Sequence, residues 1–234
     1  PPRSTLFPYT TLFRSRQLPH STEHFTQGLE IHNGFLYEGT GEYGKSGLFK
    51  KNISKDKILL SKYLEPQYFG EGITILHDKI YQLTYKNKVG FVYNLSDFSL
   101  IDSFRIVSAE GWGLTNDGKH LIMSDGTGTL TWIDPGNFSV IKKIQVADHQ
   151  KVYQYLNELE YDHGNIWANV WTTGHILRID IETGRIKGYI DLSGILNTLP
   201  GLQSENMDVM NGIALMPERS EERRVGKECR SGWS

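Results

Sequence analysis

Aromatic and hydrogen-bonding residues recur along the chain immediately ahead of a repeated dipeptide, most often a glycine followed by an aliphatic residue. The groups are Phe25 and Gln27, Phe69 and Glu71, Glu110 and Trp112, Leu156 and Asn157, and Met210 and Asn211. If the repeats surround one axis, these side chains meet at one end of it and have the composition of a small-molecule pocket, with apolar walls and a few polar groups. Glu71 would then be suited to proton transfer, because apolar surroundings raise the pKa of a carboxyl towards neutral pH. Because Glu71 lies between two glycines, it could equally be a carboxylate in a turn.

The dipeptide defines a repeating unit of roughly 40 to 50 residues. It occurs at Gly28-Leu29, Gly72-Ile73, Gly113-Leu114 and Gly212-Ile213, with Glu158-Leu159 in the same place of the fourth unit. Within the units, turn signals such as Asn33-Gly34 and Asp117-Gly118 separate β-rich runs, for example 79–85, 89–95 and 175–181. Each unit therefore contains four short strands.

Four short strands per unit of this length predict a β-propeller, in which four-stranded antiparallel sheets surround a central channel. We expect an all-β, five-bladed propeller whose last blade begins at Asn211 and is truncated after Pro217, with a helical insertion over 193–210. A two-sheet sandwich would explain the strands but not the period. The first strand of each blade would line the channel, which brings the groups described above together.

The two ends of the chain, 1–15 and 219–234, share no periodicity with the rest and resemble translated sequencing-adapter sequence. We expect both to be non-native tails around one folded domain over 16–218, with the native N-terminus missing. Each tail carries a net charge of +2, so the formal charge of −2 leaves the body near −6. The single cysteine, Cys229, lies in the second tail, so a disulfide framework and a cysteine-rich zinc site are excluded.

Several other classes of chemistry are not expected. The spacing Gly39-x-Gly41-x-x-Gly44 matches a dinucleotide-binding pattern but precedes strand-like rather than helical sequence. The eight histidines are not expected to form a zinc ligand set. The charge gives no reason to expect nucleic acid, and the chain holds no apolar run long enough to span a membrane.

Several strings resemble the plant and bacterial type of glutaminyl-peptide cyclotransferase. They are Phe25-Thr-Gln-Gly-Leu29, Tyr37-Glu-Gly-Thr-Gly-Glu-Tyr-Gly-Lys-Ser46, Phe69-Gly-Glu-Gly-Ile-Thr74, Tyr81-Gln-Leu-Thr84, Glu110-Gly-Trp-Gly-Leu-Thr115, Leu156-Asn-Glu-Leu-Glu-Tyr161 and Ala168-Asn-Val-Trp171. The resemblance extends from about His24 to Pro217 and implies a five-bladed propeller. It also implies the conversion of an N-terminal glutamine into pyroglutamate, with loss of ammonia and without a metal or other cofactor.

The resemblance implies that Glu71 is the catalytic acid and base. It implies a substrate pocket lined by Phe25, Gln27, Phe69, Trp112, Asn157 and Trp171. Tyr85 stands where family members commonly carry tryptophan and would form a smaller aromatic wall of the same pocket. The pocket lysine that the family places in its last blade has no counterpart in this chain. Relatives are commonly secreted or periplasmic, and we expect a monomer that acts on peptides or proteins with N-terminal glutamine.

Two alternatives from other classes stay open. One is a non-catalytic propeller that binds peptides or scaffolds partners. The other is a propeller hydrolase or lactonase, for which Glu71, Asn157 and Asn211 would have to form a metal-binding ring.

Overall fold

Four antiparallel sheets of four strands each make up the ordered framework of the protein. The computed structural model describes residues 18–148, 151–193 and 209–216. Blade 1 consists of β1 (Thr26–His32), β2 (Phe35–Thr40), β3 (Gly47–Asn52) and β4 (Lys57–Tyr63). Blade 2 consists of β5 (Gly70–Leu76), β6 (Lys79–Thr84), β7 (Val89–Asn94) and β8 (Leu100–Arg105).

The second half of the chain repeats this order. Blade 3 consists of β9 (Leu114–Asn116), β10 (Leu121–Met123), β11 (Thr129–Ile133) and β12 (Val140–Gln145). A short hairpin of β13 (Ala147–Asp148) and β14 (Lys151–Val152) follows. Blade 4 consists of β15 (Leu156–Asp162), β16 (Asn165–Val170), β17 (His175–Asp180) and β18 (Ile186–Asp191). The predicted all-β propeller with four-stranded antiparallel blades is confirmed in these four blades.

Sequence alternation explains how the blades pack. The inner strand β5 is buried at every residue, whereas the outer strand β4 is exposed at most of its residues. Apolar side chains from facing sheets form cores between neighbouring blades; Tyr37 and Leu48 of blade 1, for example, pack with Ile73 and Ile80 of blade 2. Burial of these faces is the main stabilising contribution, since apolar area removed from water contributes about 25 cal/mol per Å².

The repeated glycines lie where the inner strands of neighbouring blades meet. A Cβ atom on Gly72 would lie 2.5 Å from the backbone nitrogen of Leu114, and one on Gly113 would lie 2.0 Å from the carbonyl oxygen of Asn157. Both distances are shorter than any real carbon contact, so only glycine allows this approach. The dipeptide that marks the repeat is therefore a packing requirement of the central channel.

Residues 209–216 follow the fourth blade along the chain but contain no strand. The prediction that an inner strand begins at Asn211 is wrong for these residues. The physical reason is that they have no partner strand of their own among the described residues, and side chains of blade 4 accept their N–H groups instead. Ile213 donates to Glu158 at 2.7 Å and Leu215 donates to Glu160 at 3.0 Å.

The remaining predictions about the chain ends lie outside the described residues. Both expected tails, 1–15 and 219–234, fall there, and so does most of the expected insertion over 193–210. A fifth blade is not seen in the described ranges, so the count of five stays a prediction. Within these ranges no helix has the length and apolarity needed to cross a membrane.

Candidate active site

All eight side chains that the sequence places in a pocket line one cavity of about 220 Å³. The lining residues are Phe25, Gln27, Phe69, Glu71, Tyr85, Trp112, Asn157 and Trp171. They come from all four blades, at the end of the channel where the inner strands begin and the second strands end. Of the other residues that the repeat alignment groups with them, Met210 and Asn211 line an adjoining cavity, whereas Glu110 and Leu156 line neither.

The three polar residues of the pocket each lie in an irregularity of an inner strand. Pairing with the second strand of the blade shifts between Thr26 and Gly28, between Gly70 and Ile73, and between Leu156 and Leu159. Gln27, Glu71 and Asn157 fall within these three shifts. A β-bulge re-aims the side chain of the extra residue, so the same device in three blades turns a polar group towards the channel.

Glu71 is 4% exposed, and among the described residues no side chain or backbone group hydrogen-bonds its carboxyl. Burial raises the pKa of this carboxyl well above its usual range, and the negative charge of Glu110 raises it further. A buried carboxyl with a raised pKa and no structural partner is poised to accept and return protons.

Two amide side chains line the pocket with free hydrogen-bonding groups. Asn211 Nδ2 donates to Gln27 Oε1 at 2.6 Å, which leaves Gln27 Nε2 as the group able to donate into the pocket. Asn157 is 5% exposed and its Oδ1 atom has no hydrogen-bond partner. A buried amide oxygen without a partner is costly, and a ligand N–H group would relieve that cost.

Aromatic rings enclose these polar groups. Phe69 contacts Phe25 at 6.2 Å and Tyr85 at 5.8 Å between ring centroids. On the other side of the pocket, Trp112 and Trp171 meet edge to face at 5.6 Å. The rings give the pocket apolar walls, beside which polar interactions are stronger than in open water.

Two exposed tyrosines, which the sequence analysis did not single out, extend the walls at the rim. Tyr43 packs against Phe69 at 5.4 Å between centroids and Tyr155 packs against Trp171 at 6.1 Å. Both side chains are more than half exposed, at 56% and 53%. In the sequence, only their aromatic character pointed to the site, and tyrosines are common on protein surfaces.

A second cavity of about 330 Å³ adjoins the first. It shares Phe25, Gln27, Asn157 and Trp171 with the first cavity and is closed on its far side by His20, His24 and residues 209–211. The two cavities therefore lie side by side along these four residues.

Two of the eight histidines lie together as potential ligands, contrary to the expectation, whereas the expected absence of a zinc site stays a prediction. His20 and His24 are four residues apart, and both rings contact the carboxylate of Glu38, at 2.8 and 3.2 Å. Potential ligand atoms of these three residues lie within 4.8 Å of one another. The signal in the sequence was the His-x-x-x-His spacing at 20–24.

An ion-pair network already occupies the Glu38 carboxylate, which limits its use as a metal ligand. The fully buried Lys51 ammonium lies 2.7 Å from Glu38 and 2.9 Å from Asp56, and Thr26 donates its hydroxyl to Glu38 at 2.6 Å. Although burial opposes ionisation, the bonds from His20, Lys51 and Thr26 lower the pKa of Glu38 to about 2, and the Glu38 bond raises the pKa of His20. The chemistry of the cluster fits a salt bridge better than a cation site.

Comparison with known proteins agrees with the fold and identifies the family of the chain. The glutamine cyclotransferase family model matches residues 8–228. A glutaminyl-peptide cyclotransferase of Arabidopsis thaliana is 39% identical over 199 residues, which cover 85% of this chain and 62% of the plant protein. The chain thus spans less than two thirds of that relative.

Solved structures show the same architecture. The crystal structure of Myxococcus xanthus glutaminyl cyclase matches with a TM-score of 0.79 and 32% identity, covering 87% of this chain and 86% of the bacterial one. The WD40 β-propeller domain of Doa1 matches with a TM-score of 0.51 and 12% identity over 70% of this chain and 52% of its own, which indicates likeness of fold alone. A family match over most of the sequence, together with relatives at 39% and 32% identity, shows that the chain belongs to the glutamine cyclotransferase family.

Proposed function

We propose that this protein is a glutaminyl-peptide cyclotransferase, which converts the N-terminal glutamine of a peptide or protein into pyroglutamate and releases ammonia. The observation that carries the proposal is the Glu71 carboxyl, buried at the pocket without a hydrogen-bond partner among the described residues. It faces a cavity of about 220 Å³, which suits a single curled side chain rather than an extended peptide.

The reaction needs one proton to move from one nitrogen to another. The α-amine attacks the side-chain amide carbon, a new carbon–nitrogen bond forms, and the old one breaks to release ammonia. The attacking nitrogen gives up a proton and the leaving nitrogen gains one. A single carboxyl within reach of both nitrogens can therefore carry the whole transfer, and its efficiency rises as its pKa approaches the working pH. Glu71 is assigned this role.

The two amides hold the substrate in a reactive shape. Gln27 Nε2 would donate to the substrate amide oxygen, on which negative charge develops during attack. Asn157 Oδ1 would accept an N–H of the α-amine and thereby point the nitrogen lone pair at the carbonyl carbon. The rings of Phe69, Trp112 and Trp171 exclude water, which favours cyclisation over hydrolysis.

An ammonia-coupled assay on a peptide with N-terminal glutamine tests the proposal. Release of ammonia should accompany a mass decrease equal to one ammonia. Two control peptides isolate the chemistry: an N-acetylated glutamine peptide lacks the nucleophile, and a peptide with N-terminal asparagine would have to close a strained four-membered ring. Neither control should react, and reaction of the acetylated peptide would point to hydrolysis.

The same assay separates the alternatives. A binding module would retain glutamine peptides, as measured by calorimetry, but would release no ammonia. A metal-dependent hydrolase would lose activity in strong chelator and recover it with added metal. We propose metal-independent turnover, because Lys51 neutralises the one His/Glu cluster among the described residues.

We also propose a five-bladed folded domain over 16–218 that acts as a secreted or periplasmic monomer. This part of the proposal rests on the family relationship. Gel filtration with light scattering tests the monomer, and limited proteolysis followed by mass spectrometry tests the domain limits.

A further inference from the structure

Glu110 lies at the mouth of the candidate site and takes no part in the steps above. Its Oε2 atom accepts the indole N–H of Trp112 at 2.9 Å, and its Oε1 atom lies 3.5 Å from the Lys86 ammonium. The Glu110 side chain is 27% exposed, and that of Lys86 is 58% exposed. Glu110 thus connects a pocket wall with solvent.

The hydrogen bond that Trp112 donates to Glu110 is one of three contacts that hold the indole ring in place. One face of the indole is near Gly126, where an added Cβ atom would lie 2.7 Å from the ring. Trp171 contacts the ring edge to face, with a 5.6 Å separation and an angle of 83°. Those two contacts restrict how far the indole can move, and the bond to Glu110 fixes its orientation about the side-chain torsions.

Glu110 is also the charged group that acts on Glu71. The segment after β6 contributes Tyr85 and Lys86, and Lys86 lies over the Tyr85 ring at 4.5 Å. Blades 1 and 4 contribute the neutral amides Gln27 and Asn157. Apart from burial, the negative charge of Glu110 is the cause that raises the pKa of Glu71.

We propose that Glu110 is a positioning residue of this site, which fixes the Trp112 indole as a wall and holds a second negative charge next to that wall. This inference rests on the proposed function and names the residue that tunes its base. With a like charge nearby, Glu71 becomes a stronger base and takes a proton from the substrate amine more readily.

Two substitutions of Glu110 distinguish its hydrogen bond with Trp112 from its negative charge. Glu110→Gln keeps an oxygen that accepts the Trp112 N–H but removes the charge, whereas Glu110→Ala removes both. Glu182→Gln, an exposed glutamate in the β17–β18 turn, is the matched control. For each variant we would measure kcat and KM across pH. We would also titrate the Glu71 carboxyl by carbon NMR on protein labelled at the glutamate carboxyl carbon, with its signal assigned by its loss in Glu71→Gln.

In Glu110→Gln we expect both the acid limb of kcat/KM and the Glu71 titration midpoint to move to lower pH, with KM unchanged within about twofold. In Glu110→Ala we expect the same shift, an additional rise in KM of about tenfold and altered tryptophan fluorescence. A purely structural residue would not move the titration of Glu71.

An unshifted Glu71 midpoint in Glu110→Gln would overturn the proposal, whatever the activity. The NMR titration does not require turnover. A wild-type protein that releases no ammonia but shows the shift would therefore refute the cyclotransferase function and leave the role of Glu110 intact.

Discussion

The Glu158 carboxylate accepts the backbone N–H of Leu29 at 3.2 Å, although the two residues belong to the last and first of the four blades. Glu158 occupies the repeat position that is glycine in the other three blades. It is fully buried, and its second oxygen accepts the N–H of Ile213 at 2.7 Å. The inner strands of blades 1 and 4 make less contact than those of the other neighbouring blades, and the Glu158 side chain bridges them.

Glu158→Ala is expected to destabilise the protein by about 2 to 4 kcal/mol, because it leaves two backbone N–H groups without their acceptor. Glu158→Gln keeps one acceptor oxygen and is expected to fall between Ala and wild type. Chemical denaturation at neutral pH measures both. An alanine variant as stable as wild type would show that the bridge does not hold the ring together.

Gly113→Ala is expected to cost more than 2 kcal/mol and to impair substrate binding. Its Cβ would lie 2.0 Å from the carbonyl oxygen of Asn157, so the inner strand that carries Asn157 must move. Gly188→Ala is the matched control, since nothing lies within 4 Å of its Cβ position; its effect should stay within about 0.5 kcal/mol. Equal thermal midpoints for the two variants would contradict the close-approach account.

Glu71→Gln is expected to lower kcat by at least about a hundredfold. It is also expected to raise the free energy of unfolding at pH 8, because a neutral amide replaces a buried carboxyl whose ionisation costs free energy. The readouts are ammonia release and the free energy of unfolding, with Glu182→Gln as the control that changes neither. A variant with full activity would remove Glu71 from the mechanism. A variant with lower stability at pH 8 would contradict the assigned burial cost.

Unfolding free energy is expected to fall as pH rises from 5 to 8. Burial raises the pKa of Glu30 to about 8 and that of Glu160 to about 7, against an ordinary 4.5. Above pH 4.5 the unfolded chain loses these protons first, so each carboxyl lowers stability by at most about 1.4 kcal/mol per pH unit until it ionises in the folded state.

His20 and Glu38 also contribute to the dependence of stability on pH. The stabilisation from His20, whose pKa is raised, is present below pH 6.5 and is lost as pH rises through its folded value. The contribution of Glu38, with its pKa near 2, is present above pH 4.5 and is lost as pH falls towards 2. Stability should therefore peak in mildly acidic solution. Glu30→Gln should flatten the alkaline slope, and a profile that rises from pH 5 to 8 would contradict the assignment.

The repeat period predicted most of the residues that meet in the pocket, because equivalent positions in successive blades must reach the same end of the channel, whereas Tyr85 and Trp171 were named through the family resemblance. It could not reveal that Gln27, Glu71 and Asn157 lie in bulges, since an extra residue becomes visible only when its strand is paired. Nor could it reveal the partners of each polar group, such as Asn211 for Gln27.

The buried pair of Glu38 and Lys51 was also beyond sequence reasoning. Both side chains are fully buried in adjacent strands, whereas charged residues in strands usually face solvent. Their burial depends on mutual neutralisation and on His20, His24 and Asp56, whose convergence is a property of the folded blade.

The bond between Asn211 and Gln27 joins residues 184 positions apart. During synthesis the N-terminal part of the chain leaves the ribosome first, so the three earliest blades can assemble while Gln27 still lacks its partner. The complete cleft comes into being only after the last of these residues has emerged. Appearance of activity in a stalled-chain series would thus report the moment at which the ring closes, rather than the folding of any one blade.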